Sequence, residues 1–97
     1  MDLDREAILR GLREAKPQLA QRFPLRRIAL FGSFARGDAT PESDIDILVE
    51  VDPSIGLGFV TLAEELEKLI GHRVDLVSRR GVKALLWEQI EPDLIDV

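Results

Sequence analysis

Three aspartates in the sequence have the type and spacing expected of a site that binds a divalent cation. Asp44 and Asp46 open an alternating segment, and Asp75 is the polar exception in an apolar run expected to be buried. Positions i and i+2 of a strand share one face, so the first two carboxylates are expected to point the same way. If the strand that carries Asp75 is a neighbour, the three carboxylates meet and raise one another's pKa. Mg²⁺ or Mn²⁺, which prefer oxygen ligands, would relieve that repulsion.

A Gly-Ser step adds a second chemical feature. The apolar run 27–31 enters Gly32 and Ser33, and Arg36 follows one turn later. Glycine lets the backbone approach a ligand closely, the following turn points free N–H groups outward, and the serine hydroxyl can donate to a phosphate oxygen. Gly-Ser is also a common turn dipeptide, and aspartates at strand starts are often turn residues. A site for phosphate and metal is nevertheless favoured by the order of these features, in which a strand is followed by Gly-Ser, then by a basic turn, and then by the Asp-x-Asp strand.

The elements that must position these residues form a small α/β layer. Apolar spacing predicts a helix over 4–22, with Asp2 or Asp4 as its N-cap and with Pro17 kinking or dividing it near Lys16. Gly71 is expected to end the helix before it in the left-handed conformation. Strands are predicted at 27–31, 45–51 and 73–78, a helical turn at 33–36, helices at 57–70 and 82–90, and a short strand or free tail at 94–97. We expect a single domain, residues 1–97, with a small mixed β-sheet flanked by helices.

The composition of the chain disfavours several classes of protein, among them membrane-spanning and disulfide-bonded proteins. A chain of 97 residues with 45% hydrophobic residues is one folded domain, and a net charge of −5 disfavours binding nucleic acid through phosphate contacts. The longest uncharged run, Pro53 to Ala63, is far short of the roughly 20 apolar residues of a membrane span. Early charges speak against a signal peptide. The lack of cysteine excludes disulfides and fits a cytoplasmic protein.

Two segments resemble a known family signature. Phe31-Gly-Ser-Phe-Ala-Arg-Gly37 and Ser43-Asp-Ile-Asp-Ile-Leu-Val49 resemble the motif of the polymerase-β-like nucleotidyltransferase superfamily. The short chain is more narrowly similar to its minimal nucleotidyltransferases (MNT proteins). The Val74–Val77 run and the flanking helices follow the same plan, so the resemblance extends over nearly the whole chain.

The resemblance implies a role for each motif residue. Gly32 and Ser33 would hold the phosphates of a nucleotide, and Arg36 would support that loop or neutralise charge. Asp44 and Asp46 would bind two Mg²⁺ ions that bridge the triphosphate. Asp75 would complete the metal site and help to deprotonate the acceptor hydroxyl. Two-metal catalysis of this kind also explains how an acidic protein can use an anionic substrate.

The resemblance also implies a partner. MNT proteins are commonly antitoxins paired with a HEPN-domain ribonuclease toxin, and they transfer AMP from ATP to a tyrosine hydroxyl of that toxin. The expected assembly is a hetero-oligomer. Two alternatives stay open: an antitoxin that neutralises by binding alone, and transfer to a small molecule such as an aminoglycoside. The second is disfavoured because 97 residues leave no room for an acceptor-binding domain.

Other conspicuous residues have ordinary explanations. His72 has no second histidine with which to form a metal site and is expected at the surface or as a helix cap. Trp87 is expected in the core or at a partner contact rather than as a platform for bases. Arg79 and Arg80 could reach a phosphate, but a solvated turn is the better interpretation.

Overall fold

A four-stranded mixed sheet carries helices on both faces in the computed structural model, which describes residues 3–97. The helices are α1 (Arg5–Arg22), α2 (Gly32–Arg36), α3 (Gly58–Ile70) and α4 (Ala84–Ile90). The strands are β1 (Leu25–Phe31), β2 (Ile45–Val51), β3 (Val74–Ser78) and β4 (Ile95–Asp96). Short 3₁₀ turns occupy Pro53–Ile55, Arg79–Gly81 and Glu91–Asp93. The predicted elements are therefore present, with boundaries within two residues of those expected.

The strand order is β3-β2-β1-β4, and it confirms the predicted mixed sheet. β1 and β2 are antiparallel, as the short α2 connection permits. β2 and β3 are parallel and are joined by the α3 crossover, with Ile45 opposite Val74. The C-terminal residues dock rather than hang free, because β4 pairs antiparallel with β1.

The two faces of the sheet bury different apolar clusters. α1 and α3 cover one face, where Leu12, Leu62 and Leu66 pack with the β-strand residues Ile45 and Ile47. α4 covers the other face through the cluster Phe31, Leu48, Val82 and Ile90. Because strand side chains alternate, the even-numbered residues of β2 lie on the α4 face. The Asp-x-Asp motif therefore uses the less densely covered side of the sheet.

Helix α1 confirms one predicted cap and overturns one predicted break. The Asp4 side chain accepts the backbone N–H of Ala7 at 2.9 Å, as an N-cap should; the alternative cap, Asp2, lies outside the described residues. The helix continues through Pro17, so of the two predicted effects of this proline, a kink or a division, the division is wrong. Pro17 is exposed, so water can reach the carbonyl that loses its partner, while Leu12 and Leu19 anchor both halves in one core.

Strand β3 forms an edge of the sheet, and the prediction that Asp75 lies in a buried strand is wrong. Its residues are partly or fully exposed because only β2 pairs with it. The Ile45 N–H bonds the Arg73 carbonyl, so in this parallel ladder the Val74 N–H faces the open edge. That N–H donates to the carboxylate of Glu67 on α3 at 3.0 Å. Gly71 ends α3 with φ of 75°, as predicted.

Candidate active site

The register of β2 and β3 brings the predicted carboxylates together. Asp46 lies directly opposite Asp75 in the parallel pair, so both side chains lie on the face that α4 covers. Asp44 comes two residues before Asp46 and shares that face. Asp75 is exposed at the open edge, whereas Asp46 is partly buried. The strand neighbours expected from the sequence are therefore neighbours in the fold.

The electrostatics of Asp46 show that the three groups interact. Burial, followed by the charges of Asp75 and Asp44, raises the pKa of Asp46 to about 6, and the charge of Arg36 opposes the shift. A carboxylate in this position is held at a cost in free energy that a nearby cation would remove. The donor set thus suits a hard divalent metal ion.

Gly32 is the residue that lets Asp46 lie close to the start of α2. Its φ of 77° is in the left-handed region, and a Cβ built there would overlap the Asp46 Oδ2 atom. No other residue satisfies both conditions, since a side chain would be strained and would displace the carboxylate. Ser33 follows on the first turn of α2, partly exposed beside this contact.

Arg36 holds α2 against the C-terminal part of the chain. Its Nη1 donates to Asp93 Oδ2 at 2.8 Å and its Nε to Asp38 Oδ2 at 3.2 Å. Of the two roles implied by the family resemblance, this geometry favours support of the Gly-Ser loop. The charge still lies near enough to Asp46 to lower the pKa of that group.

Arg73 is a charged residue of this face that the sequence analysis missed. Its Nε donates to Asp44 Oδ1 at 2.8 Å and its Nη2 to the Glu42 carbonyl oxygen at 2.9 Å. The available signal was its spacing: Arg73 precedes Asp75 by two residues, as Asp44 precedes Asp46. The parallel register therefore pairs the two motifs residue by residue.

The residues judged ordinary lie outside the carboxylate cluster. His72 is partly buried rather than at the surface, with Nε2 donating to the Ser43 carbonyl at 2.7 Å and its ring edge-on to Phe34. Trp87 packs against the α4-face cluster, which agrees with the core interpretation. Arg79 stacks on the Trp87 ring at 3.8 Å, and Arg80 is exposed.

The carboxylates are near one another but are not arranged as a finished metal cage. Over residues 3–97, no group of three His, Cys, Asp or Glu side chains has ligand geometry. Asp44 Oδ1 accepts a hydrogen bond from Arg73, and Asp44 Oδ2 has no hydrogen-bond partner in the described structure. Mutual repulsion also separates carboxylates that lack a counter-charge. The chemistry of the donor set nevertheless fits Mg²⁺ or Mn²⁺.

The two cavities described for the protein are lined by other residues. One, of about 660 Å³, lies between the start of α1 and the loop 37–41. The other, of about 410 Å³, lies beyond the end of β2, next to Asp52 and Arg80. Asp44, Asp46 and Asp75 line neither cavity. Asp44 and Asp75 are exposed and Asp46 is partly buried, so the cluster can be reached from the surface of the protein.

Within the described part of the chain, no helix combines the length and apolar character needed to cross a bilayer.

Comparison with known proteins agrees with this geometry. Residues 12–97 match the nucleotidyltransferase domain family. The protein adenylyltransferase MntA of Thermococcus cleftensis is 45% identical over 84 residues, which cover 84% of each chain. A solved protein provisionally described as a minimal nucleotidyltransferase superposes with a TM-score of 0.81 at 41% identity, covering 98% of this chain and 97% of that one.

Structures of complexes also match. The tri-AMPylated HEPN toxin of Shewanella oneidensis with its MNT antitoxin contains a chain that superposes with a TM-score of 0.59 at 28% identity, covering 95% of this chain and 66% of that one. A toxin–antitoxin crystallised with AMP-PNP gives a TM-score of 0.68 at 30% identity, covering 97% and 72%. The chain therefore belongs to the nucleotidyltransferase domain family, in its minimal form, and is a nucleotidyltransferase enzyme.

Proposed function

We propose that this protein is a Mg²⁺-dependent protein adenylyltransferase that acts as an antitoxin in the cytoplasm. It transfers AMP from ATP to a hydroxyl group, that of a tyrosine, on a partner HEPN-domain toxin and so silences the toxin. The observation that carries the proposal is the register that sets Asp46 opposite Asp75, with Gly32 against Asp46.

The first part of the proposal assigns the nucleotide. Gly32 and Ser33 hold the phosphates of ATP at the start of α2, where backbone N–H groups point outward. The positive φ of Gly32 and its missing side chain support this assignment, because they bring the Asp46 carboxylate against the start of α2, beside the partly exposed Ser33. Arg36 keeps α2 in place through Asp93 and Asp38.

The second part assigns the metal ligands. Asp44, Asp46 and Asp75 are the residues that would hold two Mg²⁺ ions, with Mn²⁺ as a substitute. When bound, the ions neutralise the triphosphate and the developing charge on the transferred phosphoryl group. The raised pKa of Asp46 supports the assignment, since burial and then the charges of Asp75 and Asp44 disfavour its ionised form, and a bound cation would favour that form.

The third part assigns the proton transfer. Asp75 helps to remove the proton of the acceptor hydroxyl, and its exposed position at the sheet edge is accessible to a large acceptor. The acceptor oxygen then forms a bond to the α-phosphorus of ATP. The bond from that phosphorus to the bridging oxygen breaks, and pyrophosphate leaves with the electron pair.

The partner is proposed from the related complexes and from the open site. MNT antitoxins with HEPN toxins are among the structures that superpose on this chain. Asp44 and Asp75 are exposed at the surface, where a hydroxyl carried on a second folded protein can reach them.

The decisive experiment follows AMP from α-labelled ATP to the purified partner in the presence of Mg²⁺. The parent protein is expected to label the partner, and the Asp44→Ala/Asp46→Ala variant is expected to leave it at background. The Asp52→Ala variant, which changes an aspartate at the other end of β2, is the matched control and should label normally. An unlabelled partner with the parent protein would contradict transfer.

Toxin rescue by the double variant separates transfer from neutralisation by binding alone. If labelling is lost but rescue of cell growth persists, binding suffices and catalysis is dispensable. If both are lost while the complex still forms, AMP transfer is the neutralising event.

A further inference from the structure

The most constrained polar contacts near the carboxylates are those that hold the segment before β2. Arg73 reaches back to this segment with Nε on Asp44 Oδ1 and Nη2 on the Glu42 carbonyl oxygen, at 2.8 and 2.9 Å. His72 adds a hydrogen bond from Nε2 to the Ser43 carbonyl at 2.7 Å. His72 and Arg73, the two residues just before β3, therefore hold residues 42–44, which lie just before β2.

Stability of the fold does not explain the Arg73 contacts. The side chains of Arg73 and Asp44 are 59% and 51% exposed, and ion pairs with that exposure contribute little to folding. Asp44 precedes β2, so the ladder itself does not hold its carboxylate. The planar guanidinium group of Arg73 binds a side-chain oxygen and a backbone oxygen at once and so fixes the orientation of the Asp44 carboxylate. A lysine or a screened charge cannot fix that orientation.

The geometry of the pair leaves Asp44 able to bind something else. Arg73 uses Oδ1 alone, and Oδ2 has no hydrogen-bond partner in the described structure. Side chains that bind one oxygen of a ligating carboxylate orient the other oxygen toward the metal. The same face carries Asp46 and Asp75 on the next rung of the ladder.

We propose that Arg73 is a positioning residue, which holds the Asp44 carboxylate in the orientation that binds the divalent cation. This inference rests on the proposed function, because it assumes that Asp44 is a metal ligand. Arg73 itself touches neither metal nor nucleotide in this role. It acts through Asp44 and through the Glu42 backbone.

Two substitutions and one control test the role. Arg73→Gln removes the charge and the planar guanidinium group. Arg73→Lys keeps the charge, but an ammonium group cannot bind Asp44 Oδ1 and the Glu42 carbonyl oxygen from one planar group. The control is Arg26→Gln, because Arg26 is another exposed arginine paired with an aspartate, Asp52, at 3.2 Å. All three variants are first compared with the parent by thermal unfolding, and each is expected to remain folded.

Mn²⁺ binding is the primary measurement, made by electron paramagnetic resonance of free Mn²⁺ with a non-hydrolysable ATP analogue present. Arg73→Gln is expected to weaken Mn²⁺ binding about 10- to 100-fold, the usual effect of removing a residue that orients a metal ligand. Arg73→Lys should also weaken it, and Arg26→Gln should not. In AMP transfer, Arg73→Gln should lower kcat and leave the KM for ATP near the parent value at saturating Mg²⁺.

The outcomes separate this inference from the function on which it rests. If the parent binds no Mn²⁺ and transfers no AMP, the proposed function fails and the positioning role fails with it. If the parent does both, but Arg73→Gln binds Mn²⁺ equally or more tightly, only the positioning role is overturned, since the arginine then competes with the cation. Normal binding by Arg73→Lys would also overturn it, because charge without geometry would suffice.

Discussion

Asp46 is the residue at which the needs of the fold and of the site conflict. Its backbone continues β2, while its side chain is partly buried beside two other carboxylates. Burial and like charges disfavour its ionised form, and this destabilises the folded protein near neutral pH. Such a cost is consistent with the proposed role of Asp46 as a ligand of a divalent cation.

We expect Asp46→Asn to raise the free energy of unfolding of the metal-free protein at pH 7. The pKa of Asp46 is raised to about 6 in the folded state, so the folded state binds more protons than the unfolded chain between about pH 4 and that value. Stability therefore falls as the pH rises through this window, and the neutral amide avoids the fall. The gain should be about 1–2 kcal/mol at pH 7 and near zero below about pH 4, measured by urea unfolding.

Asp52 provides a control in which stability is expected to change with pH in the opposite direction. Hydrogen bonds from Ser54 hold the pKa of Asp52 below its ordinary value, so this carboxylate stabilises the fold above its unfolded pKa and stops doing so as the pH falls through its folded value. Asp52→Ala should therefore destabilise the protein at pH 7 and do so less in acid. A stability difference for Asp46→Asn that is the same at pH 4 and pH 7 would contradict the explanation.

We expect Gly32→Ala to abolish AMP transfer. The new Cβ would overlap the Asp46 carboxylate, and the backbone would have to keep φ at 77° or reorganise the start of α2. The measurement is the rate of AMP transfer together with the unfolding free energy. Gly37→Ala is the matched control, because Gly37 has φ of 88° but open space around its Cβ position.

The two alanine variants share the strain of a left-handed residue, which is about 1–2 kcal/mol. Gly37→Ala should therefore lose stability while keeping much of its activity when folded. Equal losses of activity in both variants would show that strain, and not the contact with Asp46, accounts for the effect.

Among the elements, α1 shows how packing can overrule a local signal. Pro17 removes one hydrogen bond inside the helix, yet the apolar residues on both sides pack into the same cluster. We expect Pro17→Ala to raise the unfolding free energy by about 1–2 kcal/mol, since proline is the least favourable residue in a helix interior. AMP transfer should be unchanged, because α1 covers the other face of the sheet.

Gln18→Ala is the control, as an exposed neighbour on the same helix, and should change stability by less than about 0.5 kcal/mol. A Pro17→Ala variant that is no more stable than Gln18→Ala would indicate that the loss of proline's restriction on the unfolded chain offsets the restored hydrogen bond.

Most elements could be predicted because their local signals agree with their packing. The alternation Ile45-x-Ile47-x-Val49 fits one buried face of β2, and Gly71 ends α3 where a left-handed residue is needed. Strand β3 was harder, because the apolar run around Asp75 is compatible with either a central or an edge strand. Whether a strand lies at the edge depends on the order of all the strands in the sheet, and a local sequence pattern does not give that order.

The site was predictable only in part for a similar physical reason. The pairing of Asp46 with Asp75 follows from two local motifs and a parallel neighbour, so the sequence was sufficient to suggest it. The Arg36–Asp93 and Arg73–Asp44 contacts join residues 57 and 29 positions apart, and no local pattern identifies the partner of either arginine. Such contacts require the tertiary arrangement.

At the scale of the whole molecule, the net charge affects binding of the nucleotide, and the accessibility of the site affects binding of the acceptor. A net charge of −5 repels free anions, so binding of ATP, the proposed substrate, requires local cations and backbone N–H groups that offset this charge. The proposed acceptor would approach from the surface, where Asp44 and Asp75 are exposed. Under the proposed function, specificity for the acceptor comes from contacts with the partner protein.

We therefore expect free tyrosine, a short tyrosine peptide and an aminoglycoside to be poor acceptors compared with the folded partner. The measurement is kcat/KM for AMP transfer to each acceptor at the same ATP and Mg²⁺ concentrations. The folded partner should be favoured by at least about 100-fold, because only it gains binding energy outside the reacting hydroxyl. Efficient transfer to an aminoglycoside would instead favour the small-molecule alternative.

The contact between Glu67 and the outward N–H of Val74 affects how molecules of this protein meet in solution. An unpaired strand edge is a template on which a second chain can extend the sheet and begin an aggregate. Here an incoming strand would first have to expel a carboxylate from its hydrogen bond, and it would then lie beside the exposed charge of Asp75. Glu67 and Asp75 are thus expected to disfavour pairing of a second chain with the open edge of β3.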